Sequence, residues 1–121
     1  YPDDHFDLIL SCFMFHEIPP GPTPGILAEI ARVLKPGGVF AGIEFLPKEN
    51  SPFQEAMMLT TAYTNNEPFA PASYTYPYTA KAKEAGFAKA DIVWFDKIMA
   101  PKSDNPAMPP RTRYPIYMFE R

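Results

Sequence analysis

Residues 4–17 read Asp-His-Phe-Asp-Leu-Ile-Leu-Ser-Cys-Phe-Met-Phe-His-Glu, and residues 27–40 read Leu-Ala-Glu-Ile-Ala-Arg-Val-Leu-Lys-Pro-Gly-Gly-Val-Phe. In the first stretch, Leu8-Ile9-Leu10 is a continuous apolar run, the pattern of a strand buried on both faces in a parallel sheet. Pro19, Pro20, Gly21 and Pro22 then end regular structure. Thr23 is placed to cap a helix with Pro24 at its first position. Ile26, Ile30, Val33 and Leu34 recur at helical spacing and give one apolar face. Pro36 stops the helix, Gly37-Gly38 turns the chain, and Val39 to Leu46 reads as a second buried strand. Strand, helix, strand at this spacing predicts a right-handed βαβ unit with parallel strands.

Outward from this unit, Ser51, Pro52 and Gln54 form a capping box that opens a helix to about Tyr63. Asn65 to Tyr78 is polar, aromatic and proline-rich, and reads as loop. Thr79 is placed to cap a short helix ending at Gly86. A third strand is expected over about 91–99 and a fourth over about 114–120. No helical crossover lies between those two, so they should pair antiparallel.

The chain has 121 residues and a formal charge of -3, with no basic cluster. That argues against a nucleic-acid phosphate backbone as partner. Cys12 is the single cysteine, so no intramolecular disulfide can form, and a reducing cytoplasm is the expected setting. The longest apolar run, Leu8 to Phe15, is far too short to cross a bilayer, so no membrane partner is expected. The sequence opens at Tyr1 rather than Met, which reads as a partial, processed or truncated chain.

The two quoted segments, together with Ala85-Gly86-Phe87 before a strand, resemble the C-terminal half of class I S-adenosylmethionine-dependent methyltransferases. More narrowly they resemble the type 11 group that acts on small molecules. The most specific element is Arg32 to Gly38 in its spacing from Phe6-Asp7. The resemblance implies an α/β, partial Rossmann-like fold: residues 1–121 as one partial domain of about four strands with flanking helices. The last strand would be antiparallel and inserted between the second and third. It also implies that the N-terminal, cofactor-binding half is missing, since the sequence has no Gly-rich turn after a first strand and no ribose-holding acidic residue.

In doubly wound sheets ligands bind outside the carboxyl ends of the strands, which places Ser11 to Glu17 at the ligand edge. By resemblance Ser11, Cys12 and Phe13 would touch the methionine end of S-adenosylmethionine in the complete protein, with no cofactor held tightly by this chain alone. His16 is the candidate catalytic residue, because an imidazole suits a base that strips a proton from the methyl acceptor. Glu17 either orients it or faces solvent. Glu44, late in an apolar strand, reads as a contact to a cationic or hydroxyl-bearing substrate or as half of a structural ion pair. Tyr63, Tyr74 and Tyr76 fall where similar proteins build their substrate cover. Two histidines without supporting cysteines predict no metal site.

Three readings compete: a methyltransferase fragment inactive as given, a non-enzymatic oligomerising or partner-binding module, and another doubly wound enzyme such as a nicotinamide oxidoreductase. The Arg32 to Gly38 motif and the lack of a dinucleotide Gly motif disfavour the third. A homodimer through a bare edge at the Leu8 strand is expected.

Overall fold

A computed structural model of the chain describes residues 1–44, 52–94 and 115–121. The elements are β1 (Phe6–Cys12), a 3-10 turn (Phe15–Glu17), α1 (Thr23–Val33), β2 (Leu34–Ile43), α2 (Pro52–Thr64), α3 (Ala70–Tyr74), α4 (Tyr78–Glu84), β3 (Lys89–Trp94) and β4 (Pro115–Glu120). The strands form one sheet in the order β1-β2-β4-β3. β1 and β2 are parallel, and β4 is antiparallel to both β2 and β3. The last strand is therefore inserted between the second and third, as the resemblance implied. The expected continuations at 45–46, 95–99 and Tyr114, and the cap at Ser51, lie outside the described residues.

The core fills one side of this sheet. Phe40, Tyr117 and Phe119 are buried against Leu27 and Ala31 of α1, Tyr78 and Ala82 of α4, and Phe15 from the turn after β1. Phe15 stands edge-on to Phe40 at 6.0 Å, and Tyr78 packs on Tyr117 at 4.9 Å. Each such buried ring contributes about 2–3 kcal/mol by leaving water. β1 departs from the expectation of burial on both faces: Leu8 is 54% and Leu10 72% exposed. It is the terminal strand of the sheet, and the face bearing these two leucines is open to solvent.

Local chemistry explains the remaining differences. α1 begins at Thr23 with Pro22 as its cap and no side-chain capping bond; the Thr23 hydroxyl instead donates back to the Pro19 carbonyl at 3.5 Å. Pro22 already holds helical angles (φ -75, ψ -13), so its ring presets the first turn. The buried face of α1 centres on Leu27 and Ala31, with Ile26 and Ile30 only partly buried beside it. The helix ends at Val33, before Pro36, and Leu34 already pairs with Phe6. The β1–β2 register then shifts between Phe6 and Leu8. Gly37 takes φ +77, and a Cβ at Gly38 would meet the Lys35 carbonyl at 2.9 Å and that of Phe6 at 3.1 Å. One glycine supplies left-handed backbone and the next supplies room.

Residues 65–78, expected as loop, contain α3, with a proline in its first turn. α4 starts at Tyr78 and is capped by Pro77, not Thr79. Its far end behaves as predicted: Gly86 at φ +103 donates to the Lys83 carbonyl, and Phe87 donates to that of Ala82, both at 3.1 Å. This is the paired closure of a Schellman cap, and it buries Phe87 under the sheet.

Candidate functional site

β1 and β2 run in parallel and deliver their carboxyl ends side by side, Cys12 beside Ile43. The chain leaves β1 by a sharp bend. Phe13 sits at φ +51, a left-handed conformation that bulky side chains rarely adopt. Such strain costs about 1–3 kcal/mol and persists where surrounding bonds over-determine it. Here Phe13 N donates to Ile43 O at 2.9 Å, and Glu44 fixes the next two residues.

Glu44 follows β2 directly and is 1% exposed. Its Oε1 accepts from Met14 N at 2.8 Å and Phe15 N at 2.6 Å. Its Oε2 lies 2.7 Å from Nδ1 of His16, itself 3% exposed. An ionised carboxylate only accepts, so Nδ1 carries the hydrogen and, in the neutral ring, Nε2 carries the lone pair. Charge-assisted bonds of this kind are about twice as strong as neutral ones. Glu44 thus fixes the bend and the tautomer of His16 together. Glu17, half exposed, approaches the other nitrogen, with Oε1 3.6 Å from Nε2. The Phe13 ring stands 6.3 Å from the imidazole, edge-on.

The charge of the same carboxylate reaches three tyrosines, Tyr74, Tyr78 and Tyr117. Tyr78 bonds Ser73 Oγ through its hydroxyl at 2.7 Å, tying α3 to α4. Burial pushes the Tyr78 hydroxyl up to about 12, with the Ser73 bond opposing and the Glu44 charge adding. Tyr117 is pushed up further, by burial first and then by Tyr78 and Glu44. Tyr74 is raised by burial, then by the charges of Glu67 and Glu44. Tyr76 is half-buried, its ring 4.8 Å from that of Tyr78. Tyr63 stands on α2 at 88% exposure.

Of the residues singled out from sequence, His16, Glu44 and Phe13 therefore meet at the end of β1, with Tyr74 close enough to sense Glu44. Ser11 lies at the same strand end with its hydroxyl buried and without a hydrogen-bond partner among the described residues. Cys12 is exposed. Ser73, Tyr117 and Glu67 were not anticipated. Tyr117 and Glu67 are long-range neighbours of the site, and Ser73 reaches Tyr78 from five residues away; none of the three belongs to a spacing motif, so no local signal in the sequence points to them.

Residues 1–42 match the family model described as a methyltransferase domain. No curated protein sequence matches significantly. Among solved structures, the whole chain superposes on 33% of a Nostoc punctiforme protein assigned as an O-methyltransferase, with TM-score 0.68 and 18% identity. It superposes over 99% of its length on 61% of an S-adenosylmethionine-dependent methyltransferase from Archaeoglobus fulgidus, with TM-score 0.66 and 12% identity. A third match, PigF with bound S-adenosylhomocysteine, gives TM-score 0.58 and 22% identity, over all of this chain and 32% of that one. The chain spans between a third and three-fifths of these structures' length. It carries the methyltransferase-domain signature over residues 1–42 and, over its length, the Rossmann-like fold of S-adenosylmethionine-dependent methyltransferases.

Proposed function

We propose that residues 1–121 form one partial domain that supplies the acceptor side of a methyl transfer from S-adenosylmethionine to a small molecule. The observation that carries this reading is the buried Glu44–His16 pair at the carboxyl ends of β1 and β2. When bound, S-adenosylmethionine supplies an electrophilic methyl group on a sulfonium. Ser11, Cys12 and Phe13 would hold its methionine end. The Ser11 hydroxyl, buried and without a hydrogen-bond partner among the described residues, fits that role, whereas Phe13 N is already engaged by Ile43.

His16 Nε2 would take the proton from an acceptor hydroxyl or amine and later return it to water; the bound cofactor would supply the methyl group, its carbon–sulfur bond breaking to leave the thioether. Glu44 is a positioning residue: it keeps the proton on Nδ1 so that Nε2 can accept, and it stabilises the imidazolium that results. Its oxygens are occupied by the chain itself, which favours this role over a direct substrate contact. Tyr74 and Tyr76 supply half-buried aromatic surface for a flat acceptor, and Tyr63 covers it only if the acceptor reaches the exposed face of α2.

Tight cofactor binding requires a Gly-rich turn and a ribose carboxylate from outside these residues, so the chain alone is inactive. The reducing cytoplasm suits the exposed Cys12, and no helix among the described residues is long and apolar enough to cross a membrane.

The test uses the full-length protein with methyl-labelled S-adenosylmethionine and a panel of hydroxylated aromatics. His16→Asn should lower transfer by about 10²–10⁴-fold, the usual contribution of a positioned base, while cofactor affinity stays unchanged. Transfer undiminished in His16→Asn would remove His16 from the chemistry. A second reading, an oligomerising module, is favoured by one observation: Leu8 and Leu10 stand exposed on a terminal strand. Such an edge pairs readily with a second copy.

A further inference from the structure

The turn between α2 and α3 brings Glu67 to the same imidazole. His16, Glu17 and Glu67 each offer a ligand atom, and the three atoms lie within 4.8 Å of one another. A tetrahedral ion with nitrogen and oxygen ligands at about 2.0–2.2 Å holds them roughly 3.4 Å apart. His16 Nε2 and Glu17 Oε1 already stand 3.6 Å apart, so this pair needs little contraction, and Glu67 closes the rest of the gap from within 4.8 Å. Glu44 holds the opposite nitrogen at 2.7 Å, and a carboxylate on the far nitrogen is what fixes the tautomer and orientation of a metal-bound histidine. The imidazole is 3% exposed, so binding costs it little rotamer freedom. Glu67 is anchored as well: its N–H donates to Ala62 O at 2.8 Å, and Asn65 donates to its Oε1 at 3.3 Å. Two carboxylates balance a 2+ charge.

We infer that His16, Glu17 and Glu67 form a site for a borderline divalent transition ion, Zn²⁺ above all, with one nitrogen and two oxygen ligands from the chain and the remaining position open to water. One imidazole among oxygen donors selects such an ion over Mg²⁺, which prefers oxygen ligands in a near-ideal octahedron. Occupancy itself does not depend on the proposed methyl transfer. Its consequence does: the ion takes the nitrogen that serves as base, so Zn²⁺ would inhibit the transfer.

The probe is Zn²⁺ alone, titrated calorimetrically into Cys12→Ser, because the exposed thiol of Cys12 is a competing ligand. One equivalent should bind with Kd of about 10 μM or tighter. His16→Gln should abolish binding, and Glu67→Gln and Glu17→Gln should each weaken it at least tenfold, with circular dichroism unchanged. Glu17 and Glu67 are not core residues, so these two variants stay informative if His16→Gln fails to fold. Co²⁺ in the same site should give a visible d–d spectrum that Glu67→Gln alters. Affinity weaker than about 1 mM, or binding indifferent to both Glu67→Gln and Glu17→Gln, would overturn the site. Equal affinity for Mg²⁺ would overturn the ion class.

Discussion

Glu44 Oε2 and His16 Nδ1 lie 2.7 Å apart with both residues buried, and the second oxygen of the same carboxylate accepts from the backbone of Met14 and Phe15. One side chain therefore satisfies three donors around the bend after β1. Glu44→Ala removes this acceptor from all three donors, in a buried or part-buried setting, and should cost about 3–5 kcal/mol, the usual penalty for removing one member of a buried charged network. Glu44→Gln keeps an acceptor oxygen and the shape, and should cost roughly half of that. Urea denaturation gives both values. A loss below about 1 kcal/mol for Glu44→Ala would show that the bend does not depend on this carboxylate.

The buried tyrosines make stability fall at alkaline pH. A tyrosine in the unfolded chain loses its proton near pH 10, whereas folded Tyr78 keeps it to about 12, and Tyr117 is raised in the same direction. Between these limits the unfolded state binds fewer protons, so the stability present in full below pH 10 is lost progressively as pH rises toward 12. Urea midpoints at pH 8, 10 and 11 should decline in that order. Tyr78→Phe should flatten the decline, with Tyr117 keeping part of it.

Adjacent glycines should respond differently to substitution. Gly38→Ala drives a methyl against two backbone carbonyls, and should cost about 1–3 kcal/mol as overpacking. Gly37 has open space around a Cβ but φ +77. Asn tolerates that region better than most residues, so Gly37→Asn should cost about 1 kcal/mol or less. Thermal melts of the two variants rank them directly, and a Gly38→Ala variant as stable as the wild type would mean that the β1–β2 shift is adjustable.

The exposed β1 edge predicts self-association. Light scattering after size exclusion at about 100 μM, where even a micromolar dimer forms, should show a dimer. Leu10→Lys places a charge on the open strand and should return the chain to monomer, as edge lysines do in natural sheets. A wild-type monomer at that concentration would exclude the dimer.

Much of the fold is legible in the sequence because its signals are local. The βαβ unit follows from the Leu8 run, the apolar spacing through the first helix, and Pro36-Gly37-Gly38. The end of α4 follows from Gly86, whose positive φ is a property of one residue. The caps misled because prolines at 22 and 77 hold the cap positions without any side-chain bond, Pro22 already at helical angles and Pro77 outside them, so Thr23 and Thr79 looked like caps while standing inside the helices. α3 was hidden in a stretch whose prolines read as breakers, yet one of them lies in its first turn, where no N–H is required.

The site divides in the same way. His16 was marked by its chemistry and by its place at a strand end, both readable from order along the chain. That Glu44 rather than Glu17 orders the ring was decided only by tertiary structure. Neighbours at 16 and 17 are fixed by sequence, but the approach of 44 to 16 depends on parallel pairing of β1 with β2, which sets their carboxyl ends side by side. Glu67 enters only because the α2–α3 turn folds back over that edge. Sequence determines which groups the chain can offer and where it must turn. Proximity between distant groups comes from packing the sheet and helices on one core, because contacts across long loops obey no local period.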